Sequence, residues 1–179
     1  MLTMRPNGPL LSGLQEFIAT LPPDCTIVEI GCYRGEATLE FLKRALAVVC
    51  VDPWLDYTDY NDGIPDRVNH LAQAETEFDR AIQPFYGRVA KLKMPSVTAA
   101  LLLGTDQFDA VYIDGRHEQS AVAGDIHCWL PHVKPGGIIA CHDYGNPAFP
   151  GIKRTVDIIF PAGGMTYPDT TWAFRTPTN

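Results

Sequence analysis

Four short apolar runs, TIVEI (26–30), AVVCV (47–51), FDAVYID (108–114) and GIIACHDY (137–144), recur along the chain with helix-like patterns between them. Runs of this length bounded by turn residues read as buried strands. Helical crossovers between strands require parallel pairing, and parallel strands require helices on both faces. The alternation predicts a doubly wound, Rossmann-like α/β fold with a mostly parallel sheet and an antiparallel last strand. The ligand of such a sheet sits beyond the carboxyl ends of its strands.

The connecting segments follow suit. Glu36 to Leu46 carries Leu39, Leu42 and Leu46 near helical spacing. A turn-rich stretch, PWLDYTDYNDGIPD, precedes a helix with Val68, Leu71, Phe78, Ile82 and Phe85 on one face, closed by Pro84 and Gly87. RVAKL (88–92) is a weaker strand, and Ser96 is placed to cap a short helix through Leu103. From Glu118, Val122, Ile126, Trp129 and Leu130 mark an amphipathic helix ended by Pro131 and the turn KPGG. Ile152, Val156 and Ile159 mark one more, before TTWAFR (170–175), a last strand that can pair with GMTYP (164–168).

Composition narrows the function. With 179 residues, 46% hydrophobic and 20% charged, the expectation is one domain over 1–179. A net charge of −7, a pI near 5.1 and 14 scattered Lys and Arg argue against a nucleic-acid partner. Five cysteines without a CxxC pair predict reduced thiols. MLTMRPNGPL has no apolar signal core, and no run approaches the roughly 18 apolar residues that span a bilayer, so a cytoplasmic protein without a membrane partner is expected.

The most informative turn is VEIGCYRGEAT (28–38), where a strand meets Gly31 and Gly35 before a helix. Glycines there let backbone approach a ligand closely. A dinucleotide fingerprint needs glycines at positions one, three and six, which here are Gly31, Tyr33 and Glu36. Two of the three fail, and Glu36 at the helix start would repel a pyrophosphate. Asp52, at the end of the second strand, suits a carboxylate accepting from two ribose hydroxyls. A nucleoside without a diphosphate is the implied ligand.

These residues carry a resemblance. VEIGCYRGEAT resembles the first motif of class I S-adenosylmethionine-dependent methyltransferases (acidic, x, Gly, x, x, x, Gly), and VDPW resembles the second. VYIDGRHEQSAVAGDIHCWLPHVKPGGIIACHDY is similar to the fourth and fifth motifs of the branch containing macrocin-type O-methyltransferases and cephalosporin-hydroxylase-like proteins, and TTWAFR resembles its closing strand. The resemblance implies S-adenosylmethionine as cofactor, with Glu29 toward the methionine amino group, Gly31, Cys32, Tyr33 and Gly35 forming the binding turn, Asp52 on the ribose and Asp114 also among the cofactor contacts. Trp54 stacks on adenine or packs in the core; Ser96 caps its helix, contacts adenine, or does both. Little sequence precedes the first strand from which a substrate lid could be built.

Asp114 and Asp143 end what should be neighbouring strands, so their carboxylates can converge beside the sulfonium. Like charges a few ångströms apart need a counter-charge, which a divalent cation such as Mg2+ supplies. In the resembling branch the metal is held by the acid of the fourth motif and two adjacent acids after the fifth strand; here the adjacent pair is His142 and Asp143, giving Asp114, Asp143 and His142 as metal ligands. The alternative is a hydrogen-bonded network without metal. His117 is either a general base or a solvent-facing loop residue, and Asp125, inside a helix, reads as structural. The acidic loop Asp56, Asp59, Asp62, Asp66 does not fit an EF-hand, whose first ligand would fall on Thr58. Tyr57 and Tyr60 line a pocket or belong to a surface loop.

The resulting expectation is an enzyme moving a methyl group from S-adenosylmethionine to a hydroxyl of a small-molecule acceptor, of sugar or polyketide type by the resemblance, with Asp114, His117, His142 and Asp143 as catalytic candidates and a homo-oligomer as a possible assembly. A catalytically silent nucleoside-binding module is the alternative, and a hydroxylase-like oxidoreductase with an iron site a third.

Overall fold

The computed structural model describes residues 9–57 and 66–178. In chain order the elements are α1 (Pro9–Ala19), β1 (Thr26–Ile30), α2 (Glu36–Phe41), β2 (Ala47–Val51), α3 (Arg67–Ile82), β3 (Val89–Leu92), α4 (Ser96–Ala100), β4 (Phe108–Ile113), α5 (Gln119–Trp129), β5 (Val133–Cys141), α6 (Pro150–Ile159), β6 (Met165–Thr166) and β7 (Trp172–Arg175). The sheet order is β3-β2-β1-β4-β5-β7-β6. The β1–β2, β1–β4, β2–β3 and β4–β5 pairs are parallel, and β7 runs antiparallel to β5 and β6. This is the expected Rossmann-like sheet with an antiparallel end.

Strand alternation sends successive residues to opposite layers. Ile27 of β1 and Tyr112 of β4 face a core shared with Leu14 and Phe17 of α1, Phe41 of α2 and Phe78 of α3. Val28 and Val111 face the other, with Ala99 of α4, Ile126 and Trp129 of α5 and Val156 of α6. The inner parallel strands β1, β2 and β4 are therefore largely apolar on both faces, which explains the unbroken runs in the sequence, while the edge strand β3 is only half-buried and carries Lys91. Among the described residues no helix is long and apolar enough to cross a membrane.

Several local readings are corrected. Helix α1 is an element the strand-and-helix alternation did not reveal; it seats Phe17 against Phe41 (ring centroids 6.5 Å apart) and Tyr112 (5.6 Å). Helix α2 ends at Phe41 and continues only as turns, leaving Leu46 exposed. In α3 the buried face is Leu71, Ala74, Phe78 and Ile82, while Val68 in the first turn is exposed. Ser96 is the first helical residue of α4 rather than its cap, which is Pro95.

The KPGG segment lies inside β5 instead of preceding it. Register jumps there: Phe108 faces Val133, but Ala110 faces Ile138. The strand thus carries an irregularity with Gly136 at φ 75, and regular pairing resumes up to Cys141. His142 and Asp143 lie just past its end. Thr58, Asp59, Tyr60 and Asp62 of the acidic loop lie outside the described residues.

Candidate active site

The sheet's ladder reaches past the strand ends and fixes the residues that follow. Gly31 N–H donates to Val51 O (2.9 Å), Asp114 N–H to Ile30 O (2.8 Å), and His142 N–H to Ile113 O (2.9 Å). Gly31, Asp52, Asp114 and His142–Asp143 consequently share one edge, where a cavity of about 990 Å³ opens.

Gly31 has φ 85, a conformation glycine adopts without strain. A Cβ there would stand 2.7 Å from the Gly115 Cα and closer still to the Asp114 carbonyl. The missing side chain makes room for the backbone leaving β4, so the expected space for a ligand is in the first place space for the chain itself. Gly35, also at φ 85, is the residue before α2, and a Cβ on it would press the Phe78 ring at 3.1 Å.

Asp52 accepts the Tyr33 N–H at 2.9 Å on Oδ2 and the Trp54 N–H at 2.7 Å on Oδ1. Burial raises its carboxyl above the ordinary value, against the downward pull of these amides. Trp54 itself turns into the core. It has φ 45, packs on Phe78 at 4.9 Å, donates its indole N–H to Tyr33 O (2.8 Å) and does not line the cavity. Of its two readings, adenine stacking is corrected to core packing.

Glu29 is buried on the cavity wall and accepts the Thr38 hydroxyl. Cys32 lies beside it, its thiol donating to Glu29 O (3.4 Å) and its Sγ 3.8 Å from Val51 O. Burial pushes the Cys32 thiol well above its usual range, so it stays protonated. Tyr33 lines the cavity with its hydroxyl on His70 Nε2 and its ring 5.7 Å from the imidazole. His70 went unnoticed in the sequence because nothing around it marks it apart from a solvated helix residue.

The acidic convergence is present, and imidazoles are interleaved with it. His142 Nδ1 lies 3.2 Å from Asp114 Oδ1 and 3.4 Å from Asp143 Oδ2. His117 Nε2 lies 3.1 Å from Asp143 Oδ2. Asn146 donates to the other oxygen of Asp143 at 2.8 Å. Burial alone would raise the Asp143 carboxyl, but the His117 and His142 hydrogen bonds outweigh it and hold the group far below the carboxylate range. His117 is not the solvent-facing loop residue of one reading: its ring stacks on Phe149 at 3.9 Å, which aims it inward.

One ligand atom each from Asp114, His117 and Asp143 lies within 4.8 Å of the others. The geometric trio therefore contains His117 where the sequence reading placed His142, which sits between the two acids.

Asp125, read from the sequence as structural, is buried and hydrogen-bonded in the packing of α5, and it also reaches the cavity wall. The spacing Val122, Asp125, Ile126, Trp129 puts it on the buried face of α5, and at 6% exposure it forms part of the cavity wall with Ser96, whose hydroxyl donates to Oδ1. Burial raises its carboxyl to about 6, against Ser96 and the Arg116 charge. Since the folded value exceeds the ordinary 3.8, the ionised group opposes folding; the penalty is absent below about pH 4, grows through pH 6 and is complete above it. Asp125→Asn is expected to raise stability by roughly 1–3 kcal/mol at pH 8 and by little at pH 4, read from melting curves at both values. Tyr57 and Arg116 also line the cavity, the guanidinium 4.7 Å from the Tyr57 ring centre. Tyr60 lies outside the described residues.

A family model described as "Methyltransferase domain" matches residues 28–144, from β1 to just beyond β5. The chain belongs to the class I, S-adenosylmethionine-dependent methyltransferases. This methyltransferase is similar in structure to the O-methyltransferase NovP, with a TM-score of 0.66 at 20% identity, covering 93% of this chain and 79% of that one. It is similar to a Corynebacterium glutamicum protein (TM-score 0.65, 15% identity, 97% and 84% covered). It is also similar to the N-methyltransferase NodS of Bradyrhizobium japonicum in complex with S-adenosyl-L-homocysteine (0.62, 12%, 96% and 89%). At these identities the likenesses establish the fold. A search of curated protein sequences returns no match to the methyltransferase.

Proposed function

We propose that the methyltransferase binds S-adenosylmethionine along this edge and moves its methyl group to a hydroxyl of a small-molecule acceptor. The observation that carries the reading is one cavity with two chemically different ends: Asp52 beside the glycine turn, suited to ribose, and the Asp114, His117, His142, Asp143 cluster beyond the ends of β4 and β5.

In direct transfer the acceptor oxygen forms the new C–O bond as the S–CH3 bond breaks, leaving S-adenosylhomocysteine and a proton to be removed. The protein's work is placement and proton removal. A neutral amine attacks through its lone pair without prior deprotonation, whereas a hydroxyl is a poor nucleophile until its proton is taken. Imidazole and carboxylate groups at the acceptor end favour the hydroxyl. His117, oriented by Asp143 and Phe149, is placed to take that proton, and Asp143 to stabilise the imidazolium that results. The net charge of −7 favours a small acceptor over a nucleic acid.

A divalent cation fits the same donor set, since two carboxylates and an imidazole converge within 4.8 Å. Asp114, His117 and Asp143 would hold it, and its chemistry there would be to lower the pKa of a nearby hydroxyl.

The test is transfer from labelled S-adenosylmethionine to a panel of hydroxyl and amine acceptors, with and without chelator. Transfer to amines alone would reject the hydroxyl reading, and tight cofactor binding without transfer would indicate a silent binding module. Asp52→Ala is expected to weaken S-adenosylhomocysteine binding by about 1–3 kcal/mol in calorimetry, the range for hydrogen bonds to a charged group; unchanged affinity would remove Asp52 from the ribose.

A further inference from the structure

We propose that Glu29, Cys32 and Cys50 form a site for a thiophilic cation of the zinc class at the root of the glycine turn, different in its ligands from the Asp114 cluster. The inference goes beyond the methyl-transfer reading and does not depend on it.

The sheet brings the three residues together from separate parts of the sequence. Glu29 of β1 and Cys50 of β2 are direct partners in the parallel ladder, so their side chains leave the sheet on one face. Cys32 follows the Gly31 turn and folds back, its thiol donating to Glu29 O at 3.4 Å. One ligand atom from each residue lies within 4.8 Å of the other two, and all three residues are buried, at 1%, 3% and 0% exposure in chain order. Glu29 and Cys32 also line the cavity, and Cys50 lies behind them. A cation entering from the cavity would thus keep one coordination position turned toward it.

Two sulfurs and a carboxylate oxygen make a soft donor set, which selects for zinc-class ions over magnesium or calcium. A tetrahedron of Zn–S bonds of about 2.3 Å has sulfur–sulfur edges of about 3.8 Å. The 4.8 Å spread of the ligand atoms accommodates it. Electrostatics point the same way. Burial, and then the acids Cys50, Glu29 and Asp52 around it, hold the Cys32 thiol well above the usual range. Further negative charge in this cluster needs a counter-charge, and a divalent cation supplies one as it displaces the thiol protons. Thr38, fully buried on α2, donates its hydroxyl to Glu29 Oε2 and stands 3.9 Å from the Cys50 sulfur, so it fixes the orientation of the carboxylate.

The experiment is X-ray absorption at the zinc edge on the full chain loaded with one equivalent of Zn2+, under a phosphine reductant that keeps the thiols reduced. About two sulfur neighbours at about 2.3 Å are expected, with oxygen near about 2.0 Å. Nitrogen and oxygen neighbours alone would put the ion elsewhere and overturn the inference. Titration with Cd2+, followed by its thiolate charge-transfer band, then identifies the sulfurs. Cys32→Ser and Cys50→Ser, each checked for folding by its melting curve, are expected to weaken Cd2+ at least about tenfold and to remove roughly half of the band or more. Cys128→Ser and Asp143→Asn are expected to leave the band in place. A folded Cys50→Ser protein with the wild-type band, or loss of the band in Asp143→Asn, overturns the site. No cofactor enters these measurements, so a failure of the cofactor reading would leave their outcome unchanged.

Discussion

Asp143→Asn is expected to lower the methyl-transfer rate by about 10²- to 10³-fold while S-adenosylhomocysteine affinity stays within about twofold. The substitution is clean in the backbone, because Asp143 has φ 59 and asparagine tolerates the left-handed region better than most residues. What changes is charge. The carboxylate accepts from His117 at 3.1 Å and is held ionised across the neutral range, so its removal takes the orienting anion from the imidazole. It also replaces a charged carboxylate ligand of any cation held with Asp114 and His117 by a neutral, more weakly binding amide. Steady-state kinetics with and without chelator separate these roles. A chelator-sensitive wild type assigns the loss to the cation; a resistant one assigns it to His117. Full activity of Asp143→Asn, or a cofactor-binding defect without a rate defect, would take the residue out of acceptor chemistry.

Gly31→Val is expected to cost more than about 4 kcal/mol, a fall in melting temperature beyond about 10 °C, or to prevent accumulation of folded protein. Two effects add. The residue stands at φ 85, where a β-branched side chain is strained, and its Cβ would meet the Asp114–Gly115 backbone, which cannot move without shifting the end of β4. Gly35→Ala offers a graded comparison, because its Cβ meets the edge of the Phe78 ring at 3.1 Å and a ring can yield. Thermal unfolding of both variants checks the ordering. A Gly31→Val protein that melts with the wild type would mean that the close approach of Gly31 to the Asp114–Gly115 backbone tolerates a side chain.

The parts of this molecule that were legible in the sequence are those set by local pattern. The parallel strands announce themselves because both faces are buried, and the residues at their ends, Asp52, Asp114 and Asp143, inherit their place from the strands. Side-chain direction is not local in the same sense. His117 points inward because Phe149, from a distant loop, stacks on it, and Trp54 points to the core because of its φ of 45 and the Phe78 ring. Asp125 was legible in principle, since its spacing from Val122 and Trp129 places it on the apolar face; an acid inside a buried stripe is a signal that outweighs its being helical. Helix α1 was missed for a different reason. Its Leu14, Phe17 and Ile18 spacing is helical, but it lies before the first strand, where the alternation of strands and helices gives no cue.

The irregularity in β5 separates two mechanical regimes within one strand. From Ala110↔Ile138 to Ile113↔Cys141 the pairing is locked, while residues 134–137 absorb a mismatch in length between β5 and its neighbour. The irregular segment lies at the end of the strand remote from His142 and Asp143, where Thr176 and Pro177 hydrogen-bond it. Four rungs of the ladder separate the irregularity around Gly136 from the His142–Asp143 pair and its spacing to Asp114. The offset between β4 and β5 is thus a fixed joint, clamped by the chain that follows β7, and the length difference between the two strands is absorbed at the end away from the acceptor side of the cavity.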